Sequence, residues 1–406
     1  MIQCALDIVK TLTEAGFTAY YAGGCVRDKL LGMPSDDIDI ATTALPDDIM
    51  RLFPHTIAVG ANFGVVVVVV EEHHYEVATF RKEGGYVDGR RPQHVTPAMP
   101  EDDAQRRDFT INGMFYDPIE EKIYDYIGGE EDLKKQLIRA IGDPKKRFEE
   151  DRLRMVRAVR FSCRFGYDID EETSKAIRSH ANTLLPAVSM ERIWQECSKM
   201  VNDGHFDMAV LMMYDLGILQ AAFPVLTTRT CDDIAASVSG ISFFPRGIPP
   251  ILAIAMLFSH LPLDKALDEC RRLKVSNKDL SIVELLYHLR GLVAGDTSAV
   301  EWARFYARDY AEECLAVLSS EYDEEKRRQF LEEHLNRRQQ LLPAIERIQQ
   351  KNPLVTSSML VEQGVVPGKS MGLLLEEAEC IEVNNGIEDA DGVLAILKKS
   401  PQWPSV

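Results

Sequence analysis

Two aspartates one residue apart, Asp37-Ile38-Asp39, follow a Gly23-Gly24 pair after twelve intervening residues. On an extended strand, residues two apart face the same side at about 6–7 Å, so both carboxylates can reach a single cation. Two bare carboxylates at that spacing repel each other. A hard cation such as Mg²⁺ relieves the repulsion, and it is ordinarily held by few carboxylates together with substrate phosphate oxygens. Ile38 and Ile40 alternate with the acids, a pattern that a merely solvated acidic strand would not need. The Gly-Gly pair closes an apolar run, Ala19–Ala22, and precedes a predicted helix with Arg27 and Asp28 in its first turn. Such a turn lets backbone N–H groups approach a phosphate, although alone it is no more than a tight connection.

A second chemical cluster lies in the basic segment Arg147–Phe161. At about 100° per residue, Phe148, Met155, Val156 and Val159 share one stripe, with Asp151, Arg154 and Arg157 on the opposite side. Asp151 and Arg154, three apart, could form a simple helix-surface ion pair. Their chemistry also permits more. A carboxylate accepts hydrogen bonds and a guanidinium donates them in a planar fork. Cytosine and adenine each present an amino donor beside a ring-nitrogen acceptor, so one Asp and one Arg satisfy either edge. Uracil and guanine reverse both contacts, at a cost of about 1–3 kcal/mol for each buried group left mispaired. A protein surface of this kind selects CTP and ATP without a nucleic-acid template.

The elements that must position these groups fall into zones. Residues 1–140 alternate helices with strand-like runs at Ala19–Ala22, Asp37–Ala41, Val65–Val70 and Tyr75–Phe80. Residues 82–105 hold three glycines and three prolines without apolar periodicity and read as a long loop, a class of segment that is usually functional or disordered. From about Ile141 the pattern is helix after helix, with breaks expected near Gly204, Pro245–Pro250 and Gly295–Thr297.

Length and composition set the outer bounds. The 406 residues suggest two or three domains, and 27% charged with 46% hydrophobic residues is ordinary globular composition. Val65–Val70 and Ile251–Ser259, the longest apolar stretches, are far shorter than the ~18 residues of a membrane span. The first ten residues lack a basic region followed by an apolar one, so no signal peptide is expected. The eight cysteines show no CxxC spacing and no matching histidine, which argues against zinc and for reduced, mostly buried thiols in a cytoplasmic protein. A formal charge of −18 at first speaks against nucleic acid. Yet residues 134–164 carry eleven Lys/Arg against four Asp/Glu, a local +7 that includes Lys134, Lys135, Lys145, Lys146 and Arg147. Phosphate binding depends on where the positive charge sits, so the total charge excludes nothing.

The Gly-Gly and Asp-x-Asp combination resembles the polymerase-β nucleotidyltransferase superfamily. With Glu76–Arg81, Arg106–Asn112, Arg147–Phe161 and Glu191–Glu196, and weakly Gly364–Gly372, the chain resembles class II tRNA nucleotidyltransferases, the CCA-adding enzymes. The resemblance implies an α+β nucleotidyltransferase head, a mixed sheet with helices, followed by an all-α neck, body and tail. The boundaries expected here are 1–140, 141–204, 205–310 and a tRNA-binding tail at 311–406. It implies that Asp37 and Asp39 hold Mg²⁺, with Glu76 a possible third carboxylate. Gly24, Arg27, Arg107, Asp151, Arg154, Arg157 and Arg160 would form the nucleotide site, Asp151 and Arg154 reading the base. The implied reaction is addition of CMP and AMP from CTP and ATP to a tRNA 3′ end, with release of pyrophosphate and no membrane partner. In the family the loop matching residues 82–105 helps switch specificity from C to A, which argues against an enzyme adding only cytidines. An A-adding enzyme shares the same base-reading residues. A bacterial poly(A) polymerase shares the head and neck but usually adds a basic extension not seen here. The Gly364–Ser370 segment imitates a Walker A motif but is one residue short between its glycines. Lys369 would then meet RNA phosphate or simply cap a turn.

Overall fold

The computed structural model describes residues 1–35, 37–60, 64–86 and 92–404. They divide into two compact units, Met1–Cys231 and Asp232–Val406. The first opens with α1 (Ile2–Glu14), β1 (Ala19–Ala22), α2 (Gly24–Leu30), β2 (Asp39–Thr42) and α3 (Pro46–Leu52). It continues through β3 (Thr56–Gly60), β4 (Val65–Val70), β5 (His73–Thr79), β6 (Arg81–Tyr86), β7 (Pro92–Pro97) and α4 (Pro100–Arg106). Strands β8 (Phe115–Asp117) and β9 (Lys122–Tyr124) complete a seven-stranded sheet in the order β3-β4-β5-β2-β1-β8-β9. It is a mixed sheet, because β2 runs parallel to β5 while β1 is antiparallel to both β2 and β8.

Period-2 alternation gives the sheet two distinct faces. Tyr21, Ile40 and Val77 are buried on the side covered by α1, whose Ala5, Ile8, Val9 and Leu12 are all at most 1% exposed. Burying each larger side chain of that stripe contributes about 1.5–3 kcal/mol. On the other face Ala22, Ala41, Phe80 and Phe115 form a small core with Ala104 of α4. Asp39 opposes Ala22 in the ladder, so it belongs to this second face, and Ile38 and Ile40 belong to the first.

Two sequence expectations need correction here. Residues 82–105 are not a loop throughout: β6 and β7 pair as an antiparallel ribbon and α4 follows, with residues 87–91 outside the described set. Among the described residues of this ribbon no apolar side chain is fully buried, so its sequence shows no periodicity. Asp37 also lies outside a strand, since β2 begins at Asp39.

The helical half of this unit runs from α5 (Gly129–Lys135) through α6 (Pro144–Glu150), α7 (Leu153–Phe165), α8 (Glu171–His180), α9 (Leu184–Ala187), α10 (Met190–Asn202) and α11 (Phe206–Asp215). Phe148, Met155, Val156 and Val159 are fully buried as the stripe requires. They do not share one helix, however: the chain breaks between α6 and α7, with Asp151 extended at φ −146°, ψ 105°. Helix α7 packs against α10 and α11.

The second unit is helical among its described residues. Ile251–Leu257 is buried on all sides in a helix spanning Pro250–Leu257, which explains its unbroken apolar run. The helix Asn277–Ala294 starts at a Ser276–Asp279 capping box, each side chain bonding the other's backbone N–H. A separate core gathers Leu360, Leu374, Val393 and Leu397. Lys369 begins a helix at Lys369–Asn385, and the preceding element, Ser357–Glu362, is also a helix, so the Walker A imitation lacks its strand. No helix among the described residues is long and apolar enough to cross a membrane.

Candidate active site

The strand β1 ends at a turn only glycine fits. Gly23 has φ +75°, and a Cβ there would stand 3.1 Å from Arg107 Nη1 and 3.8 Å from Asp39 Oδ2. Helix α2 therefore starts directly beside Asp39, with Gly24 and Arg27 in its first turns. Next to these lies a cavity of about 410 Å³ lined by Gly23, Gly24, Arg27, Asp39, Arg107, Asp108, Asn112, Asp151, Arg154, Arg157, Arg160 and Phe161, with Arg106 and Arg164. Seven arginines and three aspartates face this space, so a chain of net charge −18 presents a local excess of four positive charges here.

The carboxylate end sits on strands. Asp39 immediately precedes the Ile40–Val77 register pair of β2 and β5, which places it beside Glu76 on the adjacent strand. Its carboxyl is pushed up to about 6, mainly by burial and then by the charges of Asp37 and Glu76, with Arg107 pulling the other way. Among the described residues no three ligand side chains come close enough to hold an ion by themselves. Two or three oxygen-bearing carboxylates that repel one another still fit a hard divalent cation whose shell is completed by phosphate oxygens.

The arginine end sits on helices, and each guanidinium is anchored. Arg27, 3% exposed, donates from Nε and Nη2 to Asp28 Oδ1 at 2.9 and 2.7 Å and from Nη1 to Asn112 Oδ1. It also lies 4.6 Å from the Phe165 ring centroid and 5.5 Å from that of Phe161. Arg157 and Arg160 stand over the same Phe161 ring at 5.2 and 4.1 Å. Such cation–π contacts let like charges crowd around one ring at reduced cost. Arg157 donates to Asp108 at 2.7–2.8 Å, and that pairing holds the Asp108 carboxyl down at about 2 in spite of its burial. Arg160 donates to Glu196 of α10 at 2.6 Å. Arg107 donates to Asp103, a 1% exposed carboxylate that also accepts from Arg106 and from the Arg81 backbone N–H.

Asp151 and Arg154 do not pair with each other. Arg192 of α10 donates to both Asp151 oxygens, at 3.1 and 2.7 Å. Arg154 donates to Glu150 at 2.9 Å and to the carbonyls of Arg147 and Arg106 at 3.2 and 2.9 Å. The surface ion-pair reading of this i, i+3 pair is thereby overturned. Every nucleotide-site residue expected from sequence lines the one cavity; Asp37 and Glu76 lie outside its lining but within charge range of Asp39. Sequence reasoning assigned no individual role to Asp103, Asp108, Asn112, Phe161, Arg164, Arg192 or Glu196, while Gly23 entered as half of the Gly-Gly turn. Arg192 and Glu196 did carry a signal, because four residues apart on a helix they share one face.

Residues 19–139 match the model for the poly A polymerase head domain, and residues 166–229 match that for a probable RNA and SrmB-binding site of polymerase A. A CCA-adding enzyme of Geobacillus sp. strain WCH70 is 38% identical over 339 residues, 81% of each chain. The chain belongs to the CCA-adding enzymes. A CCA-adding enzyme of Lactobacillus johnsonii is 39% identical over 278 residues, 68% of this chain and 69% of that protein. Among solved structures, the Bacillus stearothermophilus CCA-adding enzyme in complex with CTP superposes with a TM-score of 0.81 at 28% identity, covering 98% of this chain and 96% of that one. Family membership accounts for the α+β head followed by helices, and members of this nucleotidyltransferase superfamily generally use a divalent metal.

Proposed function

We propose that this chain adds CMP and then AMP, from CTP and ATP, to the 3′ end of tRNA without a nucleic-acid template, releasing pyrophosphate. The observation that carries this reading is the single cleft with Asp39 at one end and the Asp151–Arg154 pair among arginines at the other. In this proposal Asp37 and Asp39, with Glu76 as third carboxylate, would hold Mg²⁺, which when bound supplies charge neutralisation at the transferred phosphate and a more acidic 3′-hydroxyl. The Gly24 turn, Arg27, Arg107, Arg157 and Arg160 bind the triphosphate, and their existing bonds to acids and rings fix their direction beforehand.

Base reading uses what Asp151 and Arg154 have left. A carboxylate has about four lone-pair sites; Arg192 takes one on each Asp151 oxygen and the Leu153 backbone N–H a second on Oδ1, which leaves one on Oδ2. A guanidinium has five N–H donors, of which Arg154 commits three to Glu150 and two carbonyls. The remaining acceptor meets an exocyclic amino group and the remaining donors meet the neighbouring ring nitrogen, the edge that cytosine and adenine share. Exposed Lys134, Lys145 and Lys146, which make no ion pair among the described residues, suit the tRNA backbone.

We further take 1–140 as head, 141–204 as neck, 205–310 as body and 311–406 as tRNA-binding tail. The cytoplasm is the proposed place of work, in keeping with eight free cysteines. The test offers tRNAs lacking all three, the last two or only the last nucleotide, with labelled CTP or ATP. Extension of all three substrates, ending after one A, is the expected result. Extension of the last substrate alone would mark an A-adding enzyme, and continued growth past one A a poly(A) polymerase.

A further inference from the structure

The head contains a second cavity of about 410 Å³, on the opposite face of the sheet from the nucleotide cleft. Its lining is largely apolar: Leu6 from α1, Tyr21 from β1, Cys25 from α2, Ile38 before β2 and Tyr116 from β8, with Ser35 the polar exception and Ile2 and Met33 at the rim, 70% and 42% exposed. Among the described residues Lys29 is the single charged one of the lining. Its ammonium lies 4.5 Å from the Tyr116 ring centroid and has no carboxylate partner among the described residues. We propose that this cavity binds a small apolar monoanion, of the aryl or short aliphatic carboxylate class, and that its occupancy is transmitted to the catalytic carboxylates.

The volume lies in the range of small-molecule sites and is too confined for a protein surface, which needs about 800 Å² per partner. A neutral apolar molecule would leave Lys29 unused. A dianion would carry one charge into an apolar space with no cation to meet it, which is costly. Transmission follows from the backbone bond between two walls. Ile38, 6% exposed, forms a wall of this cavity and is bonded directly to Asp39, which lines the nucleotide cleft on the opposite face. Cys25 forms another wall and is the residue after Gly24. A ligand that repacks these two side chains moves the backbone of both the carboxylate pair and the phosphate turn, and catalytic geometry tolerates little displacement.

The transmission rests on the proposed role of Asp37 and Asp39; the binding does not, so Asp39→Ala is expected to retain the ligand while losing turnover. Isothermal titration of the full chain with 2-naphthoate is expected to give one site per chain. Lys29→Glu should weaken it about tenfold or more, an ordinary effect for a lost charge partner in an apolar site, and Lys29→Arg should leave it nearly unchanged. Leu6→Trp, which fills the cavity from α1, should abolish it. With CTP and tRNA saturating, 2-naphthoate should slow CMP incorporation by the wild type and leave Leu6→Trp unaffected. No saturable binding, or binding that survives Lys29→Glu, overturns the site. Binding with an unchanged incorporation rate overturns the transmission. Should Leu6→Trp fail to fold, the surface change Lys29→Glu supplies both readouts.

Discussion

Within the unit Met1–Cys231 the half-buried Asp39 and the buried Asp108 are driven in opposite directions. Asp39, on a strand beside Asp37 and Glu76, has its carboxyl pushed up to about 6. Asp108, facing Arg157, is held down at about 2. Burial disfavours the charge in both cases, so the neighbours decide. At the strand end like charges are gathered with no ion pair to Asp37, Asp39 or Glu76 among the described residues, an arrangement that suits the proposed divalent cation. At the helix end Arg27, Arg157, Arg160 and Arg154 are already bonded, to Asp28, Asp108, Glu196 and Glu150, and are therefore stiff. On the proposed function, one end serves chemistry on phosphate and the other discrimination between bases.

The largest effect expected is at the strand end. Asp39→Ala should reduce CMP and AMP incorporation by about a thousandfold or more, the scale of losing a metal-assisted step. Its tRNA affinity, measured by filter binding, should stay within about twofold, since binding rests on cationic surface elsewhere. A large loss of affinity would mean that the carboxylates help hold the RNA, and the division of labour between the ends would be gone.

At the helix end the support can be removed while the reader stays. Arg192→Ala leaves Asp151 with the Leu153 backbone N–H on Oδ1 but without the guanidinium that bonds both its oxygens. Misincorporation of UMP should rise about tenfold, the lower part of what one mispaired buried polar group costs, and Arg192→Lys should restore part of the selectivity. Unchanged fidelity in Arg192→Ala would show that Asp151 is positioned by its own backbone alone.

The smallest effect concerns stability. A carboxyl held at about 2 in the folded chain and near 3.8 when unfolded stabilises the fold above about pH 4. That contribution, about 2 kcal/mol by linkage, is lost as pH falls from about 4 to about 2. Denaturant unfolding of the wild type and Asp108→Asn should therefore show a stability gap near neutral pH that narrows across this window. A gap independent of pH would remove the Asp108–Arg157 pair as its source.

How much of this was legible in the sequence follows from the range of each interaction. The β1 and β4 runs, Ala19–Ala22 and Val65–Val70, stand where their patterns place them, because alternation and β-branching act locally. The Asp-x-Asp pair was legible as chemistry but not as geometry, since Asp37 precedes the strand. The break at Asp151 was hidden because Phe148 and Met155 are buried on both sides of it, so the apolar stripe continues across the gap. The ribbon of β6 and β7 was hidden for the opposite reason. Glycine and proline obscure it, and what ties Glu83 to Arg106 is an ion pair across 23 residues. The partners of the site arginines lie further still, 49 residues apart for Arg157–Asp108 and 36 for Arg160–Glu196. Residue type and spacing pointed to an arginine-lined site; only the fold shows which acid aims each arginine.

The division between the two ends is tested most directly by single-turnover incorporation of all four nucleotides, on one tRNA substrate, by Asp39→Ala and Asp151→Ala side by side. The expected result is that Asp39→Ala depresses every nucleotide in the same proportion, while Asp151→Ala narrows the preference for CTP and ATP over UTP and GTP by about tenfold to a hundredfold. If Asp151→Ala slowed CTP and ATP without admitting UTP or GTP, or if Asp39→Ala reordered the four, the assignment of chemistry to the strand end and base reading to the helix end would be contradicted.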